Sequence, residues 1–215
     1  MKRISIEETS SAGGDGVGRS RLSESLGARD VAIIHYRIAP GEELPAGLHA
    51  HADQEEVFVV LDGTATFEVY DVVVADGYLL DDSDPLDDPD DGPFAGELVV
   101  ETGETVRFAP GEFQSGRNDG DEELRLLALG APLESEDVRL PVDCSECDHE
   151  DVRLDVGEPK LSLVCPRCGA ERVLADCPNC PGADLRMTLG EDTEPIAACA
   201  TCGATFDRPP VVGRW

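Results

Sequence analysis

Lysine is nearly missing from this chain, which contains only Lys2 and Lys160. Long apolar runs are missing too. No stretch approaches the roughly eighteen apolar residues that a membrane span requires. The opening MKRISIEETSSAGGDG also lacks the apolar core of a signal peptide. These absences predict a soluble, cytoplasmic protein with no membrane association. Cysteine is absent from the first 143 residues, which confines all eight cysteines to the tail.

The scarcity of base is matched by an excess of acid. Against 17 Lys and Arg stand 46 Asp and Glu, for a formal charge of -29. Such a surface suits molar salt, where the screening length falls to about 3 Å and self-repulsion is tolerable. The composition therefore predicts a halophilic source; an acidic protein that binds basic partners is the other reading. No basic stripe is present to neutralise phosphates, which disfavours nucleic acid as a partner.

The 215 residues can bury one sizeable core and still leave room for a small second unit. Residues 1–30, rich in Ser, Gly and Arg, read as a flexible N-terminal segment. From Val31 the pattern changes to short runs rich in β-branched and aromatic residues: VAIIHYRIA, EEVFVVL, ATFEVYDVVV, ELVVETG, TVRFA and ELRLLALG. They predict an all-β barrel or sandwich over residues 31–133. Within it, LLDDSDPLDDPDDGPF at 79–94 carries too much Pro and Asp for a central strand and predicts an exposed acidic loop. Such a loop either has no task beyond its charge or serves as a lid or cation site, without the ligand spacing of an EF-hand. Residues 134–143 read as a charged linker into the cysteine-bearing tail.

GLHAHADQEEVFVVLDG, residues 47–63, holds His49 and His51. In a strand, residues two apart face the same side, so the two imidazoles enter one space. Glu56 has the opposite parity and joins them only if the chain turns through Ala52, Asp53 and Gln54. The run closes at Asp62-Gly63, a tight hairpin signal. Two imidazoles and one carboxylate suit Fe(II), Mn(II), Ni(II) or Zn(II) and leave positions for water or substrate. A polar pocket without metal and a pair of surface histidines are the competing readings. His35 reads as a buried barrel residue and His149 as a surface one.

The spacing His49-x-His51, four residues, Glu56, six residues, Gly63 resembles the first motif of the cupin family. GETVRFAPGEFQSGRN, residues 103–118, resembles the second, with Gly103, Pro110, Gly111 and Asn118 in place and Gln114 where the family has histidine. The resemblance implies a jelly-roll barrel with a divalent metal (Fe, Mn, Ni or Zn) held by His49, His51, Glu56 and Gln114. Gln114 would ligate through its amide oxygen or hydrogen-bond a bound water or ligand.

Four Cys-x-x-Cys pairs follow: Cys144/Cys147, Cys165/Cys168, Cys177/Cys180 and Cys199/Cys202. An internal repeat relates them, for placing Cys144 on Cys177 brings DVRLDVGE onto DLRMTLGE and LSLVCPRCGA onto IAACATCGA. Each copy is a knuckle, a hairpin and a knuckle. The pattern resembles tandem zinc ribbons, at residues 144–173 and 174–208. The resemblance implies one structural zinc ion on Cys144, Cys147, Cys165 and Cys168 and a second on Cys177, Cys180, Cys199 and Cys202. Interleaved pairing of the middle knuckles, and disulfide or redox use, are the alternatives.

Together these features predict a metal-binding barrel that takes a small-molecule ligand. The ribbons would dock a protein partner, and homodimerisation is common among cupins. A metal-dependent dioxygenase or isomerase is the enzymatic alternative. No separate nucleophile or acid and base pair stands near either motif, which tilts the sequence toward binding.

Overall fold

A computed structural model describes residues 1–6, 16–70, 95–157 and 160–215. The acidic stretch at 79–94 lies outside them. The described residues are nearly all β. Their one α-helix, α1 (Leu22–Leu26), is five residues long, and no helix is long and apolar enough to cross a membrane.

The barrel is a jelly roll built from eight strands: β2 (Ala32–Ile38), β3 (Ala50–His51), β4 (Glu55–Asp62), β5 (Thr64–Tyr70), β6 (Ala95–Glu101), β7 (Thr105–Phe108), β8 (Phe113–Arg117) and β9 (Leu124–Ala131). One sheet has the order β2-β9-β4-β7. The other runs β8-β5-β6 and reaches β3 through a bridge between His49 and Gln114. Neighbours that are distant in sequence, antiparallel throughout, are the mark of two interlocked Greek keys.

Side-chain alternation explains why the sheets face each other. In β9, Leu124, Leu126 and Ala128 are buried while Arg125, Leu127 and Leu129 are not. Phe58 and Val60 do the same in β4. The inner faces meet in a core whose centre is Phe58, Phe67 and Phe108, with ring centroids 5.0–5.9 Å apart.

Three sequence expectations change here. Asp62-Gly63 does not close a hairpin, because β4 and β5 pair in different sheets. The β4 register shifts between Val60 and Asp62, and Gly63 at φ 86° carries the chain across the sandwich. Residues 17–26, read as flexible, form β1 (Val17–Arg21) and α1, and β1 adds to the edge of β2. The linker at 134–143 contains β10 (Val138–Leu140), which pairs with β3 and extends the second barrel sheet.

Beyond β10 the same sheet continues through β11 (Val152–Asp155), β12 (Ser162–Val164) and β13 (Glu171–Val173), which make up the first cysteine unit. The second unit is a separate sheet of β14 (Leu185–Leu189), β15 (Pro195–Cys199) and β16 (Thr205–Phe206). The C-terminal residues return to the first unit, where Val212 N–H donates to Val173 O at 2.8 Å.

Both units pack onto the barrel. A second core joins Leu48, Ala50 and Phe113 of the barrel to Val142, Val152 and Leu163 of the first unit and Met187 and Ala197 of the second. Leu48 N–H donates to Met187 O at 2.7 Å, and Thr188 Oγ1 donates to Glu68 at 2.9 Å. Gly47, at φ 66°, fits because it has no Cβ, which would stand 2.8 Å from Met187 O.

Candidate metal centre

The short strand β3 sets the site. Its alternation sends Leu48 and Ala50 outward into the joint with the cysteine units and turns His49 and His51 inward. Ala52 and Asp53 form a turn, and Gln54 is buried beneath Gly130, whose missing Cβ makes the room. That turn restores the parity that Glu56 needs. The donor atoms of His49, His51 and Glu56 then lie within 4.8 Å of one another. The two Nε2 atoms are 3.3 Å apart, and Glu56 Oε2 is 3.6 Å from that of His51.

Hydrogen bonds on the far side of each ring fix its tautomer. His49 Nδ1 is 2.8 Å from Gly47 O, which can only accept, so Nδ1 carries the proton. His51 Nδ1 is 2.8 Å from Ser135 Oγ. Ser135 in turn donates its hydroxyl proton to Asp53 Oδ1 at 2.6 Å, which leaves its oxygen to accept from His51. Asp53 also accepts the Glu136 amide at 2.8 Å, and these hydrogen bonds outweigh burial to lower its pKa. Both Nε2 lone pairs therefore point into the shared space.

Burial keeps the rings uncharged. It lowers the pKa of His49, and it lowers that of His51 to about 4 with help from its neighbouring imidazole. The contact between His51 and Glu56 is thus not an ion pair. Burial also raises Glu56 to about 7, against the opposing hydrogen bond from Gln114. Two lone pairs and a poorly solvated carboxylate converge on one space. This donor set fits a divalent metal.

Gln114, 2% exposed on β8, reaches the site as a hydrogen-bond donor: its amide nitrogen is 2.9 Å from Glu56 Oε2. Exchanging nitrogen and oxygen would set two acceptors against each other. Its oxygen is buried without a hydrogen-bond partner. The hydrogen bond to Glu56 is neither of the two roles the sequence left open, ligation or a hydrogen bond to a bound water or ligand. Asn118, also in the second motif, is 1% exposed and donates to Ile38 O and Glu122 O at 2.8 Å each, which ties β8 to the turn before β9.

The three donors open into a cavity of about 290 Å³ between the sheets. Its walls include Tyr36, Leu44, Phe58 and Leu133, and from β1, Arg19. Sequence reasoning missed Arg19, Tyr36, Ser135 and Asp53 as site residues. Only Tyr36 and Asp53 stood near a recognisable signal; Ser135 lies 84 residues from the histidine it orients. His35 is buried in β2 at 3% exposure, and His149 is partly exposed, 3.6 Å from Asp151.

The cysteines gather as two groups, Cys144, Cys147, Cys165 and Cys168, and Cys177, Cys180, Cys199 and Cys202. Each draws on one repeat, so the interleaved pairing is not formed. Sulfur separations are 3.6 Å for Cys144–Cys168 and Cys147–Cys165, 3.8 Å for Cys177–Cys202 and 3.6 Å for Cys180–Cys199. A disulfide needs about 2.05 Å. A tetrahedron with metal–sulfur distances of about 2.3 Å has edges of about 3.8 Å. Gly169 and Gly203, at φ 75° and 68°, close equivalent knuckles by donating to Cys165 O and Cys199 O.

No protein-family model and no curated protein matches the chain. Among solved structures it is similar to a sugar phosphate isomerase from a cupin superfamily of Silicibacter pomeroyi, at 14% identity over 79% of this chain and 91% of that one, with a TM-score of 0.44. It is also similar to an uncharacterized conserved protein with a double-stranded β-helix domain from Klebsiella pneumoniae, at 17% identity over 63% and 93%, TM-score 0.43. A third is the formate complex of Lactobacillus farciminis oxalate decarboxylase, at 16% identity over 60% of this chain and 33% of that one, TM-score 0.45. The chain thus spans about a third of that decarboxylase, 33% of its length. The fold assignment stands on the strand order itself, independently of these similarities.

Proposed function

We propose that this chain is a metal-binding cupin in which His49, His51 and Glu56 hold one divalent ion of the Fe, Mn, Ni or Zn group and the adjoining cavity receives a small molecule. The observation that carries this reading is the pair of Nε2 lone pairs 3.3 Å apart beside a partly buried carboxylate. Their mutual repulsion is relieved by a shared cation. Asp53 and Ser135 orient His51, the Gly47 carbonyl orients His49, and Gln114 steadies Glu56, a set of outer hydrogen bonds of the kind that tunes metal affinity. When bound, such an ion supplies Lewis acidity at the positions the protein leaves open.

The two four-cysteine groups are read as structural zinc ribbons, since four thiolates leave no open position. Docking a partner and bracing the barrel are the two uses open to them. The buried joint at Leu48, Ala50 and Phe113 favours bracing, because it lies behind the strands that present His49, His51 and Gln114.

Elemental analysis of the full chain, dialysed against each candidate metal, tests this. Three metals per chain are expected, two of them zinc, with His51→Ala losing one and keeping both zincs. A wild-type chain that never exceeds two metals would overturn the barrel assignment.

A further inference from the structure

In a chain with 46 acidic and 17 basic residues, the arginines that pack into the folded structure are commonly held by carboxylates. Arg37 is held by Glu123 at 2.9 Å, Arg139 by Asp137 and Asp151, and Arg186 by Asp184 at 2.8 Å. Arg19 has no such partner among the described residues. Its Nε is buried and unbonded, and its contact is with the ring of Tyr36, 5.8 Å from guanidinium carbon to centroid.

Its position is built, not accidental. Arg19 stands opposite Tyr36 in the pairing of β1 with β2, and both line the cavity that holds His49, His51 and Glu56. Tyr36 is 8% exposed and gives the guanidinium a flat surface that sets its direction. Arg19 is partly exposed, yet its Nε is buried at the cavity wall with no hydrogen-bond partner; a guanidinium edge so placed is a receptor for an anion, and its planar fork matches a carboxylate. The rest of the wall is largely apolar, with Ile34, Leu44, Phe58 and Leu133. Apolar walls beside the guanidinium suit an anion with an organic body better than inorganic phosphate.

We propose that the cavity takes a small organic carboxylate whose anionic end is held by Arg19, with the remainder directed toward His49, His51 and Glu56. This deepens the reading of the cavity as the ligand site and uses a strand that the jelly roll itself does not require.

Calorimetric titration of the full, metal-loaded chain tests it, with acetate, pyruvate and benzoate as probes, acetamide and benzamide as neutral counterparts, and inorganic phosphate. At least one carboxylate is expected to bind, and its amide to bind about tenfold more weakly or worse. Arg19→Ala should weaken that carboxylate roughly ten- to a hundredfold with metal content unchanged, and Arg37→Ala should leave it as it was. Should Arg19→Ala fail to fold, Arg19→Lys, which keeps the charge and loses the fork, should still weaken binding severalfold. Absence of carboxylate binding, equal binding of acid and amide, preference for phosphate, or indifference to Arg19 would each overturn the proposal. Arg19-dependent binding in a chain with only two metals would sink the metal reading and leave this one standing; three metals without Arg19 dependence would do the reverse.

Discussion

The cysteine groups and the histidine centre gather their ligands in opposite ways. Each cysteine group takes four identical donors from two tight knuckles, with 24 residues from Cys144 to Cys168 and 25 from Cys177 to Cys202. The histidine centre takes His51 from β3, His49 from the bridge just ahead of it, Glu56 from β4 and its support from β8, a turn and a segment 84 residues away. The first kind of site is local and closed, the kind that folds around an ion when one is bound. The second is assembled by tertiary structure and keeps room for a ligand. A knuckle can be read from sequence without a fold, whereas a distributed site exists only after the sheets have closed.

The sharpest way to break this contrast is to remove a closed site and watch the open one. Cys165→Ser should lose one zinc and unfold the first ribbon, lowering the melting temperature by roughly 10 °C or more. If the ribbons brace β3, barrel metal should be lost as well; elemental analysis and thermal melts read both effects. Next in size, Phe67→Ala at the barrel centre should cost about 3–5 kcal/mol, and Leu48→Ala at the joint about 2–5 kcal/mol. Denaturant melts should separate them by consequence, because only Leu48→Ala loosens the packing shared with both ribbons.

A smaller effect sharpens the distributed side. Ser135→Ala removes the acceptor of His51 Nδ1–H and should weaken barrel metal roughly ten- to a hundredfold in chelator competition, with both zincs retained. An unchanged affinity would mean that the Asp53–Ser135–His51 chain does not orient the ring. Smallest of all, Arg107→Ala breaks an exposed pair with Glu55 and should change stability by less than about 1 kcal/mol with no change in metal content.

Legibility in the sequence followed the same division. Period-2 runs such as Leu124–Ala131 announced strands because each buries one face. The cysteine repeat announced both groups. The parity conflict at Glu56 even located the turn through Ala52 and Asp53. What stayed hidden depended on pairing across the chain. β1 is five residues containing Gly18 and Ser20, too short and too polar to signal a strand before β2 is in place. β10 is three residues held extended between β3 and β11, partners that lie far from it or follow it in the cysteine-bearing tail. Asp62-Gly63 carried a true turn signal, but local chemistry could not say whether the chain folds back or crosses to the other sheet. Gln114 was legible as a site residue, yet its role depends on where Glu56 points.

The four residues Leu48-His49-Ala50-His51 answer to two masters in strict alternation. A slip of one position would turn the rings toward the ribbons and offer leucine and alanine to the ion. Insertions or deletions just ahead of this stretch would therefore ruin both halves of the molecule in a single event, whereas exchanges that respect the face they touch would injure only one.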